Sequence, residues 1–213
     1  MKMNKNLFLL TLSQVFGFTA ATITVFLSGI IGSEITSIKF LSTLPTALYV
    51  VGTAIFTILA AKIMSKVGRR LGFVFAAFGS SAASLLGAFA ISQQNFILFC
   101  VSCLILGMGA AFNHQYRFAA AESVEKEKAP KAISILMLAG IVAAFLGITS
   151  ANYTKNIIPD YLYVGSYLML AAFTFMPAIF LFFYKNNEKI KIDLNNEYNG
   201  TTKRINFYFG RCY

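Results

Sequence analysis

Charge is scarce in this chain. Asp, Glu, Lys and Arg together make up 12% of its 213 residues, about half the share a soluble domain carries. Too few charges remain to solvate the surface of a globule, which excludes a water-soluble fold. Histidine occurs once and acids only 8 times. No Ser/His/Asp set or metal-ligand cluster can be assembled from them, so an enzyme is not expected, nor a metal or other cofactor. No phosphate-cradling loop is present, which argues against coupling to a nucleotide. Cysteine occurs three times. Cys100 and Cys103 form C-V-S-C, but inside an apolar run with no redox-domain context, where a thiol packs as a small hydrophobe. Cys212 reads as a free thiol near the end of the chain.

What is abundant is apolar length. The composition is 57% hydrophobic, with mean hydropathy +0.68. A helix needs about 20 apolar residues to cross about 30 Å of hydrocarbon. Six runs qualify: Leu7–Ile31, Leu41–Met64, Leu71–Ser92, Phe96–Phe118, Ala132–Ala151 and Tyr161–Tyr184. Runs such as Phe96–Phe112 lack the alternation of a barrel strand. The first run is longer than a signal-peptide core and five more follow, so it reads as a retained span. The expected fold is an all-α membrane protein of six transmembrane helices, with residues 1–184 as the bundle. Residues 185–213 are polar and Asn-rich and read as a cytoplasmic tail, poorly ordered.

The net charge is +10. The basic residues do not interleave with stacking aromatics on a soluble face, so nucleic acid is not the implied partner; the lipid bilayer is. All cations except Lys39 and Lys155 fall in the first residues, the second and fourth loops, the end of the fourth span, or the tail. Short Lys/Arg-rich loops stay cytoplasmic. This places both termini inside and predicts a multi-pass protein of the cell (inner) membrane. The inner loops are expected at Ser65–Arg70 and Ala119–Lys131, the outer ones near Gly32–Phe40, at Gln93–Asn95 and around Lys155–Asp160. Links this short make neighbouring spans antiparallel, and the order is compatible with two three-helix repeats.

Helical faces suggest what the bundle hides. At 100° per residue, Thr11, Gln14, Gly17, Phe18, Ala21, Thr22, Ser28 and Gly29 share one face of the first span. Leu9, Leu12, Val15, Phe16, Ile23, Phe26, Leu27 and Ile30 share the opposite face and read as lipid-facing. In the fourth span Cys100, Cys103, Gly107, Ala110, Ala111, His114 and Arg117 line one side; Val101, Leu104, Ile105, Met108 and Phe112 line the other. Asn113 lies between. Polar or ionisable groups within a span face the bundle interior by default. Gln14, Asn113, His114 and Arg117 are therefore the candidate solute-binding residues. No acid occurs within the spans, so a carboxylate proton relay has no residues to use. Pro45 reads as a helix start and Pro177 as a kink.

Between the second and third spans stands A-K-I-M-S-K-V-G-R-R, Ala61–Arg70. It resembles the signature loop of the major facilitator superfamily, G-x-L-x-D-R-x-G-R-R/K. Gly68, Arg69 and Arg70 match, Ile63 fills the aliphatic position and Lys66 keeps a positive charge. Ala61 and Ser65 depart from the pattern. Its physical content is a tight glycine turn that presents guanidinium groups at the inner surface. L-G-M-G-A-A-F, Leu106–Phe112, is similar to the glycine stretch of the family's fourth helix, with Cys103 and Leu106 where Arg and Gln are common. A-A-F-L-G-I-T-S-A, Ala143–Ala151, is similar to the antiporter stretch, with Ile148 at the proline position, which argues against the usual drug-export pattern. Tyr116–Glu122 reads as the mark of a subfamily.

The resemblance covers residues 7–184 and implies the N-terminal six-helix half of such a transporter. It implies a small-molecule solute, moved by alternating access between two halves. It further implies a gate at Gly68, Arg69 and Arg70 in which Glu122, the nearest remaining acid, pairs with Arg69 or Arg70. The missing half has three readings: a truncated product, a split transporter completed by another chain, or a six-helix unit that forms a homodimer. The aromatic and basic ending favours truncation. The alternative function is a non-transporting subunit or remnant.

Overall fold

The computed structural model describes residues 4–159 and 161–184. They form seven α-helices with short 3-10 turns at Lys39–Leu41 and Lys126–Lys128, and no strand. The helices are α1 Lys5–Ile35, α2 Leu44–Val67, α3 Arg69–Ser92, α4 Phe96–Asn113, α5 Tyr116–Glu122, α6 Ala129–Thr154 and α7 Val164–Phe182. With α4 and α5 in one stretch, 6 segments are long and apolar enough to cross a bilayer. The expected tail at 185–213, Cys212 in it, and Asp160 lie outside the described residues.

Local chemistry sets the helix ends. Pro45 occupies the first turn of α2, where its missing N–H costs nothing. The Asn95 side chain accepts the Leu98 N–H at 3.1 Å and caps α4. Gly68 ends α2 and starts α3 with φ of 86°, a conformation that strains any residue with a Cβ. The inner loop expected at Ser65–Arg70 therefore shrinks to one residue, because the flanking residues complete helical turns.

The fourth span differs from expectation in two ways. It does not end at Phe118. Ala119–Ala121 are strong helix formers; they extend α5 to Glu122, with Ala119 and Ala120 buried. The link to α6 is thus Ser123–Lys128 rather than the long loop Ala119–Lys131. Second, the span is interrupted. The Gln115 N–H donates to the Phe112 carbonyl at 3.0 Å, one residue short of the α-helical partner. No glycine or proline marks this break in the sequence.

Packing is heaviest between α2 and α4, α3 and α7, and α1 and α6. Exchanging α1, α2 and α3 for α4, α6 and α7 maps this set of pairs onto itself, the relation two three-helix repeats require. α1 and α4 touch far less. Two apolar clusters fill the bundle. One holds Leu7, Leu10, Phe73, Tyr116, Leu181 and Tyr184; the other holds Ile23, Leu27, Tyr49, Phe99, Tyr167 and Leu170. Along α1 these clusters are separated by a stretch that includes Gln14 and Gly17.

The face assignment for α1 is corrected. Leu9, Ile23 and Leu27 are buried, not lipid-facing. α1 packs on α6, α7, α4 and α2, so little of it is left for lipid; Phe8, Val25, Phe26 and Ile30 are its exposed large apolar residues. Phe112, placed on the outer side of α4, is buried as well. Cys100 and Cys103 are buried free thiols, and Cys103 Sγ lies 3.9 Å from the Tyr167 hydroxyl.

Candidate functional site

Sparse contact between α1 and α4 leaves a chamber. Two adjoining cavities of about 510 Å³ and 250 Å³ share Phe18, Asn113 and His114 in their walls. The larger is bounded by Phe18, Thr22 and Phe26 of α1, Tyr49 of α2, Ala110 of α4 and Ile148 of α6. The smaller adds Gln14, Arg117, Leu136, Met137 and Gly140. All four residues singled out by helical position, Gln14, Asn113, His114 and Arg117, thus border one connected space.

The break between α4 and α5 positions three of them. Arg117 Nε donates to the His114 carbonyl at 3.1 Å, an oxygen that the interrupted helix frees. Arg117 Nη2 lies 3.3 Å from His114 Nδ1. A guanidinium only donates, so Nδ1 accepts and the imidazole proton sits on Nε2. The imidazole meets the edge of Phe18, with ring centroids 6.0 Å apart. Arg117 itself is largely exposed. Asn113 lies flat against Gly17; a Cβ there would sit 2.7 Å from Asn113 Nδ2. Gly17 is the seat that lets this amide reach the chamber.

Gln14 differs from the rest. It is 6% exposed, and its Oε1 has no hydrogen-bond partner. An unmet buried acceptor costs about 1–3 kcal/mol.

The lower end of the bundle is closed by charge and aromatic packing. Arg69 Nε donates to Glu122 Oε2 at 2.7 Å, and Arg69 Nη2 pairs with Glu122 Oε1. This bidentate pair ties the start of α3 to the end of α5. Beneath it Phe73 packs edge-on against Tyr116 and Tyr184, at 4.7 Å and 6.5 Å. Asn4 Nδ2 donates to the Ser123 carbonyl at 3.1 Å, fixing the start of α1 to the same end. The Arg70 guanidinium lies over Phe182, 4.8 Å from the ring centroid.

Sequence reasoning missed Tyr49, Phe26 and Met137 as lining residues, and gave Phe18 no role beyond its face. Tyr49 carried a usable signal: a phenol within an apolar span has a polar tip that seeks a partner or a wet cavity. Phe26 and Met137 carried none, because lipid-facing and chamber-facing apolar residues look alike in sequence.

Comparison with known proteins agrees with this architecture. A family profile described as Major Facilitator Superfamily matches residues 7–206. A riboflavin transporter, RfnT of Brucella anthropi, is 32% identical over 191 residues, covering 90% of this chain and 48% of the relative. The uncharacterized MFS-type transporter YdeG of Bacillus subtilis is 27% identical over 185 residues, covering 84% of this chain and 42% of YdeG. The chain spans about half the length of the curated relatives it matches. With six membrane-length helices paired as two triplets, a glycine–arginine turn between the second and third, and a family match along most of its length, the chain belongs to the major facilitator superfamily.

Proposed function

We propose that this chain forms one six-helix half of a secondary transporter that carries a small solute by alternating access against a second half. One observation carries the proposal: Gln14, Asn113, His114 and Arg117 gather around a chamber inside otherwise apolar spans, and Gln14 Oε1 is left without a partner. Buried polar groups in a membrane are costly unless something meets them. α2 and α6 flank the chamber and bury the smallest share of their apolar length, so their open faces are the natural seat for a second half.

Riboflavin is the first solute to test. The Brucella anthropi relative carries it by name, and a chamber walled by Phe18, Phe26 and Tyr49 suits a flat ring system. Gln14 and Asn113 supply amide hydrogen bonds to its polar edge, and Arg117 a cation. The Arg69–Glu122 pair, with the Gly68 turn and Arg70, forms the gate at the end we assign to the cytoplasm from the distribution of Lys and Arg. With this orientation both termini would lie inside and the protein in the cell membrane. No enzymatic role is assigned.

Uptake of labelled riboflavin into vesicles containing the chain, alone and with a partner half, tests the reading. Flux above empty vesicles that is lost in Gln14→Leu supports it. No flux in either arrangement leaves a non-transporting subunit. The gate is tested separately: transport lost in Arg69→Glu and in Glu122→Arg should return in the double variant, and failure to return removes the pair from the gate.

A further inference from the structure

A second cavity of about 300 Å³ lies away from the chamber, between α3 and α7. Its walls are wholly apolar and rich in phenylalanine: Val74 and Phe78 from α3, and Phe175, Ile179, Phe182 and Phe183 from α7 and its end. Phe78 and Phe175 meet edge-on across it, with centroids 5.5 Å apart. Phe182, at the charged end, lies beneath the Arg70 guanidinium. Arg70, Val74 and Phe78 follow one another at intervals of four residues, so they form a single stripe along α3. From Arg70 to Phe78 this stripe rises about 12 Å, close to the depth of one leaflet of a hydrocarbon core about 30 Å thick.

We propose that this groove binds one anionic glycerophospholipid, with its phosphate on Arg70 and an acyl chain laid along Val74, Phe78, Phe175 and Ile179. The order of chemistry down the groove, cation at the mouth and oily channel below, matches the order along such a lipid. Phe182 holds the guanidinium at the mouth. A second copy of this chain fits less well. It would bring another Arg70 and more positive charge to a face of a protein that already carries +10.

The chain contains no tryptophan, so a single reporter can be placed at will. Ile179→Trp puts one in the groove; Leu138→Trp puts one on the exposed face of α6. Quenching by phosphatidylglycerol brominated in mid-chain is compared with quenching by the phosphatidylcholine equivalent in mixed vesicles. A cation near the surface should favour the anionic lipid about fivefold at the groove reporter. Arg70→Gln in the Ile179→Trp background should abolish the preference and Arg70→Lys should keep it. Equal quenching of the groove reporter by both lipids overturns the proposal. So does the same preference at the α6 reporter, which would mean general attraction to a cationic protein. Cross-linking of Ile179→Trp chains into dimers, with quenching by neither lipid, would give the groove to a second copy and overturn it too.

Discussion

The α2/α4 and α1/α6 crossings are equivalent under the exchange of helix triplets, flank the same chamber, and are built differently. At α2/α4 two glycines face each other's backbones. A Cβ at Gly52 would run into the Leu104 carbonyl, and one at Gly107 into the Tyr49 carbonyl and the Thr53 N–H. At α1/α6 one glycine suffices. A Cβ on Gly147 would lie 2.9 Å from Thr22 Cβ and 3.0 Å from the Thr19 carbonyl, and the Thr19 hydroxyl shares its proton between the Val15 carbonyl at 2.8 Å and the Ala143 carbonyl at 3.2 Å. The first crossing is backbone on backbone with no slack. The second also meets backbone, at the Thr19 carbonyl, but from farther away. Without a hydrophobic force between helices in lipid, small residues and such hydrogen bonds decide how closely helices approach. The repeats therefore share a geometry without sharing the residues that produce it, which is why no identity between the triplets is visible in the sequence.

The largest effect should come from the crossing without slack. Gly107→Ala has no room except by separating α2 from α4, and should cost about 3 kcal/mol, read as a lower midpoint in denaturant unfolding from detergent micelles. Gly147→Ala should cost less, about 2 kcal/mol, because its nearest atoms stand at 2.9 and 3.0 Å rather than 2.2 Å; equal losses for the two would erase the difference between the crossings. Removing the shared Thr19 bond to α6 with Thr19→Val should cost no more than about 0.6 kcal/mol, the average for an interhelical bond in a membrane bundle. Glu122→Gln should cost no more than about 1 kcal/mol, since the Arg69–Glu122 side chains are 24% and 36% exposed and water discounts the pair; its effect belongs to the gate. Smallest of all, Glu125→Gln should leave the unfolding midpoint where it is. Lys128 holds that carboxylate below its usual range by a hydrogen bond and its charge, but both groups lie in solvent. A depressed acid adds stability only above its unfolded pKa and loses it as pH falls, so any trace of this pair should vanish in acid.

Much of the lining of the candidate chamber was legible in the residues. Gln14, His114 and Arg117 stood out because polar groups are rare inside apolar spans, and the structure gathers them with Asn113 around one chamber. What lay beyond reach was how they meet. The interruption after Asn113 follows from no breaker residue, and the His114 carbonyl that Arg117 takes exists only because of it. The faces of α1 were misread for a related reason. Periodicity separates a polar stripe from an apolar one, but Ile23 and Leu27 are equally at home against lipid or against α7. The family loop was readable at Gly68 and Arg69, whereas the one-residue turn between α2 and α3 was not, because helical propensity carries both flanks further than the motif shows.

The residues by themselves determined that the described part of this chain carries six membrane-length helices. Hydrocarbon leaves a backbone no partner but its own helix, and length and hydropathy then decide the count. Tertiary structure alone decided which helices touch and where the space between them lies. Packing in lipid depends on glycines, hydroxyls and single hydrogen bonds whose partners sit far away in the chain, at Gly52 with Leu104 and at Thr19 with Ala143, and no local pattern announces such pairs.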